Sequence, residues 1–267
     1  MSSGVLLSVA YDGRRFAGFA RQPHQRTVAG ELLGALQSID PTIRDLRGAS
    51  RTDAGVHALD QRIAFDPQAD IPPRGWALGL ARHLPEDIAI RRASLVPEGF
   101  VPRFQSLRKR YRYRITFDPL RDPFLEGRTW RIPDPLTEAT LASMTAEALP
   151  LLGTHDFAAF RSAADERDST VRTLHKLAPE RDPADPRTVW LVVEGDAFLH
   201  NMVRILTGTL LDVARGRKPE GAAARALTSR DRRDAGITAP PDGLFLDRVW
   251  LREEGTSPYP PPPDSEA

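Results

Sequence analysis

The stretch "RYRYRITF", Arg110–Phe117, sets an aromatic or apolar residue at every second position and a cation at three of the others. Alternation of period two is the signature of an extended chain with one buried face. Tyr111, Tyr113, Ile115 and Phe117 then face one way, and Arg110, Arg112 and Arg114 the other. Read as a strand, this stretch divides the chain, because the same order of elements is found on both sides of it. Before it, "VLLSVA" (Val5–Ala10) reads as a strand, and Val28, Leu32, Leu33, Leu36 and Ile39 recur at helical spacing. "TIRDLRG" and "QRIAFD" read as two strands, "RGWALGLARHL" (Arg74–Leu84) as a helix and "DIAIRRASLV" (Asp87–Val96) as a strand. The order is β-α-β-β-α-β, that of a ferredoxin-like unit.

After it, a helix is expected over Glu138–Leu151, with strands near Thr170–Leu177 and Thr188–Glu194. Leu199, Met202, Val203, Leu206, Leu210 and Val213 mark a long amphipathic helix, with a shorter one after Pro219. "GLFLDRVWL" (Gly243–Leu251) closes as a strand. The expected fold class is α+β: two similar ferredoxin-like halves, 1–106 and 107–252, with mainly antiparallel sheets flanking a central cleft. Residues 253–267, "TSPYPPPPDSEA" included, read as a Pro-rich tail, extended or disordered. The polar segment "RSAADERDST" (Arg161–Thr170) reads as a mobile loop.

At 267 residues and 40% hydrophobic, the chain can bury a sizeable core. No run approaches the roughly 20 apolar residues of a membrane span, and the start has neither the basic nor the apolar region of a signal peptide. The absence of cysteine excludes disulfides and thiolate metal sites and fits a reducing cytoplasm. Charge is nearly balanced, with 37 Lys+Arg against 36 Asp+Glu, but all the basic residues except Lys109, Lys176 and Lys218 are arginines. Composition alone attributes this to a GC-rich coding bias; the planar guanidinium fork also suits phosphate and base recognition.

The chemistry-bearing stretch is "ASRTDAGVHALDQ", Ala49–Gln61. Asp-Ala-Gly is ordinary turn chemistry, in which Asp bonds its own backbone. The flanks add to this. If Arg51–Asp53 is extended, the two side chains share a face, and a guanidinium beside Asp53 favours its charged form. A carboxylate held ionised suits a nucleophile or a charge stabiliser. The arginine could equally contact a phosphate. His57, four residues on, reads as a hydrogen-bonding loop residue; without a third ligand, metal binding is not expected. The run "RFQSLRKRYRYR" (Arg103–Arg114) holds six basic residues and no acid. It is either a half-buried strand with a solvated basic face, or a nucleic-acid surface on which a tyrosine stacks against a base. In "FLHNMVRILTG" (Phe198–Gly208), Arg204 stands among apolar residues, where it either snorkels to solvent or meets a carboxylate, Asp53 being the candidate.

Taken together, "YDG" with "FAGFARQP", "SRTDAGVHA", "RFQSLRKRYRY", "HDFAAFR", "FLHNMVRILTG" and "DGLFL" resemble, in order, the TruA family of tRNA pseudouridine synthases. "RTDAGVH" is the most specific of these. The chain departs from the family at Phe19-Ala20, where Trp-Gln is frequent, at Ser50, where Gly is frequent, and in the polar loop after Arg161. The resemblance implies isomerisation of uridine to pseudouridine in the anticodon stem-loop of tRNA by a cytoplasmic homodimer, without cofactor or metal. By that likeness Asp53 is the nucleophile, Tyr111 stacks on the target uracil, Arg204 pairs with Asp53, and Arg51 acts on the flipped nucleotide. Substrate contacts are implied for Tyr111, Arg51, Arg21 and Gln22 and, further along, for His57, Arg103, Arg110 and Leu244. Two other readings stand beside this one: a non-catalytic RNA-binding module, and a metal-dependent phosphodiesterase built on Asp53 and His57.

Overall fold

The computed structural model describes residues 3–165 and 167–261. Two compact units divide the chain, one comprising Met1–Leu107 with Leu246–Ala267 and the other Arg108–Phe245.

The first unit runs β1 (Ser3–Tyr11), α1 (Val28–Ile39), β2 (Arg47–Gly48), β3 (His57–Phe65), α2 (Pro73–Leu80), β4 (Ile88–Pro97) and the single turn α3 (Pro102–Gln105). Its strands lie in the order β4-β1-β3-β2, each pair antiparallel. Leu7, for example, sits between Ile63 and Ala93. Thr27 caps α1 by accepting from the Gly30 N–H. Val28, Leu32 and Leu36, spaced by four, are fully buried. Trp76 of α2 meets Phe65 edge-on with ring centres 5.0 Å apart. Asp40 ends α1 and accepts from the N–H groups of Thr42, Gln68 and Ala69.

The second unit is built from β5 (Ser106–Phe117), β6 (Trp130–Ile132), α4 (Glu138–Ala148), β7 (Gly153–Asp156), β8 (Val171–Arg181), β9 (Thr188–Gly195), α5 (Met202–Ala214) and α6 (Ala222–Ser229). Here the order is β5-β9-β8-β7, antiparallel throughout, with β6 parallel to β5. The expected alternation of β5 is real: Tyr111, Tyr113, Ile115 and Phe117 are buried, and the intervening arginines are partly exposed. Helix α4 packs on α5. Glu147 of α4 receives the N–H groups of Gly221 and Ala223, so a carboxylate closes the N-terminus of α6.

Residues 236–239 form a strap along α5. A Cβ on Gly208 would lie 1.9 Å from the Ile237 carbonyl oxygen, so only a bare helix backbone admits the strap. It is fastened to α5 by Gly236 N–H to Thr209 Oγ1 (2.8 Å), Ile237 N–H to Asp212 Oδ2 (3.1 Å), Ala239 N–H to the Arg204 carbonyl (3.1 Å) and Arg204 Nε to the Ala239 carbonyl (2.7 Å).

Strand β10 (Leu244–Leu251) closes the expected order, but its greater part belongs to the first unit, where the expected boundary lay at 252. The reason is local bonding: Val249 N–H reaches Asp60 Oδ2 and Arg252 N–H the Gln105 carbonyl. Within the stretch expected to be an extended or disordered tail, β11 (Thr256–Tyr259) pairs with β4; residues 262–267 lie outside the described residues. Strands β6 and β7 have no counterpart in the expected list of elements. Among the described residues, no helix is long and apolar enough to cross a membrane.

Candidate active site

Asp53 stands on a turn that the first unit fastens from several sides. Thr52 is buried and its hydroxyl shares a 2.7 Å hydrogen bond with the Tyr11 hydroxyl, while Arg51 is exposed and Asp53 half-buried. The Thr52 carbonyl accepts from Phe19 N–H at 3.0 Å, and the Asp53 carbonyl from Val56 N–H at 3.2 Å. Gly55 N–H donates to the Phe16 carbonyl. Gly18 sits at φ +105, and a Cβ there would lie 2.9 Å from the Thr52 carbonyl oxygen. Any other residue would push the turn away. The Gly18 and Phe19 carbonyls in turn accept the Val28 and Ala29 N–H groups that open α1. One short segment therefore ties the turn to a helix N-terminus. Phe19 lays its ring against the bare backbone of Gly48.

His57 is 2% exposed and its Nδ1 accepts the Gly13 N–H at 3.1 Å, with Asp12 Oδ1 3.3 Å from the same nitrogen. The structure places it as a pin between the turn and the segment after β1. No group of three or more His, Cys, Asp or Glu among the described residues could hold a metal ion. Arg21 and Gln22 are exposed, with Gln22 Nε2 donating to the Ala17 carbonyl. Arg103 is exposed on α3 beside Phe104, which is 79% exposed.

In the second unit Tyr111 is buried, and its ring meets Phe198 edge-on at 5.1 Å and 82°. Arg204, half-buried on the first turns of α5, donates from Nε to the Ala239 carbonyl (2.7 Å) and from Nη1 to Asn201 Oδ1 (2.8 Å). Leu244 is buried at the start of β10. The cationic side of β5 is not simply solvated. Arg108 and Arg110 both bind the buried Glu194, at 3.1 and 2.7 Å, and Arg112 and Arg114 lie over the Trp190 ring.

Sequence reasoning did not find Phe198, Asp165, Thr52 or Glu194. Phe198 directly precedes the expected helix, whose first residue is Leu199; α5 begins only at Met202, and Asn201 before it takes φ 61. Asp165 was hidden in the polar loop, where its carboxylate accepts the His200 N–H at 2.7 Å. Its burial opposes ionisation, but the His200 and Arg167 N–H groups and the Arg167 charge outweigh burial and hold its pKa below the usual carboxylate value.

The chain matches the sequence family described as "tRNA pseudouridine synthase" over residues 7–105 and 148–250. It is 40% identical over 247 residues to "tRNA pseudouridine synthase A" of Myxococcus xanthus, covering 92% of this chain and 91% of that one. The protein of that name from Staphylococcus aureus (strain MRSA252) is 37% identical over 251 residues, covering 93% and 92% of the two chains. That of Citrifermentans bemidjiense is 39% identical over 251 residues, covering 94% and 98%. The matched segments contain the turn of Asp53, the helix of Arg204 and the elements that hold them. The chain belongs to the tRNA pseudouridine synthase family.

Proposed function

We propose that this chain isomerises uridine to pseudouridine in the anticodon stem-loop of tRNA, with Asp53 as the nucleophile. The observation that carries the reading is the Asp53 turn itself: a half-buried carboxylate on a backbone fastened through Thr52, Gly55 and Val56. A nucleophile on so constrained a turn meets a substrate atom without reorganising at the moment of reaction.

The reaction breaks the ribose C1′–N1 bond, turns the uracil, forms C1′–C5 and releases the C5 proton. It transfers no electrons and needs no group carrier. Asp53 attacks C1′, or alternatively removes the C2′ proton to give a glycal-like intermediate. The target base must leave its stack, at a cost of a few kcal/mol. Stacking on Tyr111, held from the side by Phe198, offsets part of this. The Tyr111 hydroxyl is the candidate base for the C5 proton. Arg51 holds the flipped nucleotide. Arg21, Gln22 and Arg103, exposed on the first unit, contact the tRNA backbone. The two units share the ferredoxin-like plan. This reading is supported by the first unit's antiparallel β4-β1-β3-β2 order and by the order β5, α4, β8, β9, α5 within the second. The enzyme works as a cytoplasmic homodimer without cofactor or metal.

The deciding experiment follows tritium release from tRNA transcripts labelled at uridine C5, with chelator present, for the wild type and Asp53→Asn. Release by the wild type alone is the expected result. Release by neither, from folded protein that binds tRNA, would replace this reading with a non-catalytic RNA-binding one.

A further inference from the structure

We propose that Asp165 is a positioning residue whose buried carboxylate fixes the Phe198–His200 turn and, through Phe198, the ring of Tyr111. The proposal rests on the reading of Tyr111 as the platform for the target base.

The Asp165 side chain is 3% exposed, and no step of the reaction calls for it. A buried carboxylate is costly unless hydrogen-bonded, and two short segments bond this one. Oδ2 accepts the His200 N–H at 2.7 Å and Oδ1 the Arg167 N–H at 3.2 Å. The same loop grips the turn twice more: Ser162 N–H donates to the His200 carbonyl (3.0 Å), and Arg167 Nη1 to the Phe198 carbonyl (2.6 Å). Arg167 Nε also lies 3.5 Å from Asp165 Oδ1, so the guanidinium that holds Phe198 is itself held by Asp165.

The turn carries Phe198 onto β9. A Cβ on Gly195 would stand 3.3 Å from the tip of the Phe198 ring. Val193, two residues before Gly195 and on the same face of β9, is the register partner of Tyr111. Phe198 therefore lies beside Tyr111 over a backbone cleared of side chains, and meets its ring edge-on. Position and tilt of the Tyr111 ring follow from where the turn is anchored. The same anchor sets His200 and Asn201, from which α5 and Arg204 begin.

The test uses the full chain labelled with fluorotyrosine. Its four tyrosines give four fluorine resonances, and Tyr111→Phe identifies one of them. In Asp165→Asn and Asp165→Ala the Tyr111 resonance is expected to shift or broaden, while those of Tyr11 and Tyr259 stay in place. The single-turnover rate of pseudouridine formation should fall about tenfold or more with tRNA affinity held, as displacement of a reacting group demands. In a Phe198→Ala background, adding Asp165→Ala should cost little further rate. An unmoved Tyr111 resonance in both folded variants would overturn the proposal. So would movement of all four resonances together, or an equal rate loss with and without Phe198. Should the wild type form no pseudouridine, the proposed function fails by itself, and the resonances still decide whether Asp165 places the Tyr111 ring.

Discussion

The Tyr11 hydroxyl and the Thr52 hydroxyl share a buried 2.7 Å hydrogen bond, which joins the end of the first strand to the residue preceding Asp53. Tyr11→Phe leaves the Thr52 hydroxyl without that partner while preserving the ring. A stability loss of about 1–2 kcal/mol is expected, read from urea midpoints at constant slope. Turnover should fall by more than the folded fraction does, because the bond holds the backbone next to Asp53.

Asp53→Asn and Asp53→Ala should lose turnover while keeping tRNA affinity, since neither variant touches the turn's backbone hydrogen bonds. Filter binding alongside tritium release separates the two effects. Near-normal turnover in either variant would remove Asp53 from the mechanism. Tyr111→Phe keeps the stacking surface, and an unchanged rate there would leave the ring as a platform only.

Arg110 and Arg103 should behave differently, although both stand in one basic run. Arg110 is bound to the buried Glu194, whereas Arg103 is exposed on α3. Arg110→Ala is expected to lower stability by about 1 kcal/mol and to leave the salt dependence of tRNA binding nearly unchanged. Arg103→Ala should reduce the slope of log affinity against log salt by about 1, with stability intact. The reverse pattern would make the β5 cations the RNA surface.

Acid stability should depend on Asp40. Its hydrogen bonds from the Thr42 hydroxyl, above all, and from the N–H groups of Ala69, Thr42 and Gln68 outweigh its burial and lower its pKa from 3.8 to about 2. A depressed carboxyl stabilises the fold fully above the unfolded value of 3.8, and that contribution is lost as pH falls through the folded value near 2. Asp40→Asn should lower Tm at neutral pH and flatten the dependence of Tm on pH in the window between those two values. Parallel curves for variant and wild type would show that Asp40 contributes no such linkage.

Much of this architecture was legible because it rests on local pattern. The alternation of Arg110–Phe117 and the four-residue spacing of Val28, Leu32 and Leu36 each state which face is buried, and the structure agrees. Not every short strand was legible. Gly153–Asp156 carries no alternation and exists because β8 offers it hydrogen bonds, whereas Arg47–Gly48 is the end of the expected strand "TIRDLRG", shorter than expected. The same limit applied to charge. Glu194 lies 84 residues from Arg110, so the sequence showed a bare basic face where the fold supplies a buried acid. In the Asp53 turn the residue types were readable, but no local pattern pairs the Thr52 hydroxyl with that of Tyr11, 41 residues away.

The strap along α5 bears on how the chain can vary. A side chain at residue 208 would collide with the Ile237 carbonyl, and one at residue 236 would come within 2.6 Å of the Thr209 backbone. A library randomised at these two positions should return glycine at both. Arg204, whose guanidinium and carbonyl both bond Ala239, is thereby set in a frame that cannot be retuned by small steps nearby. Variation is open to the chain at its exposed loops, and closed where the strap crosses this helix.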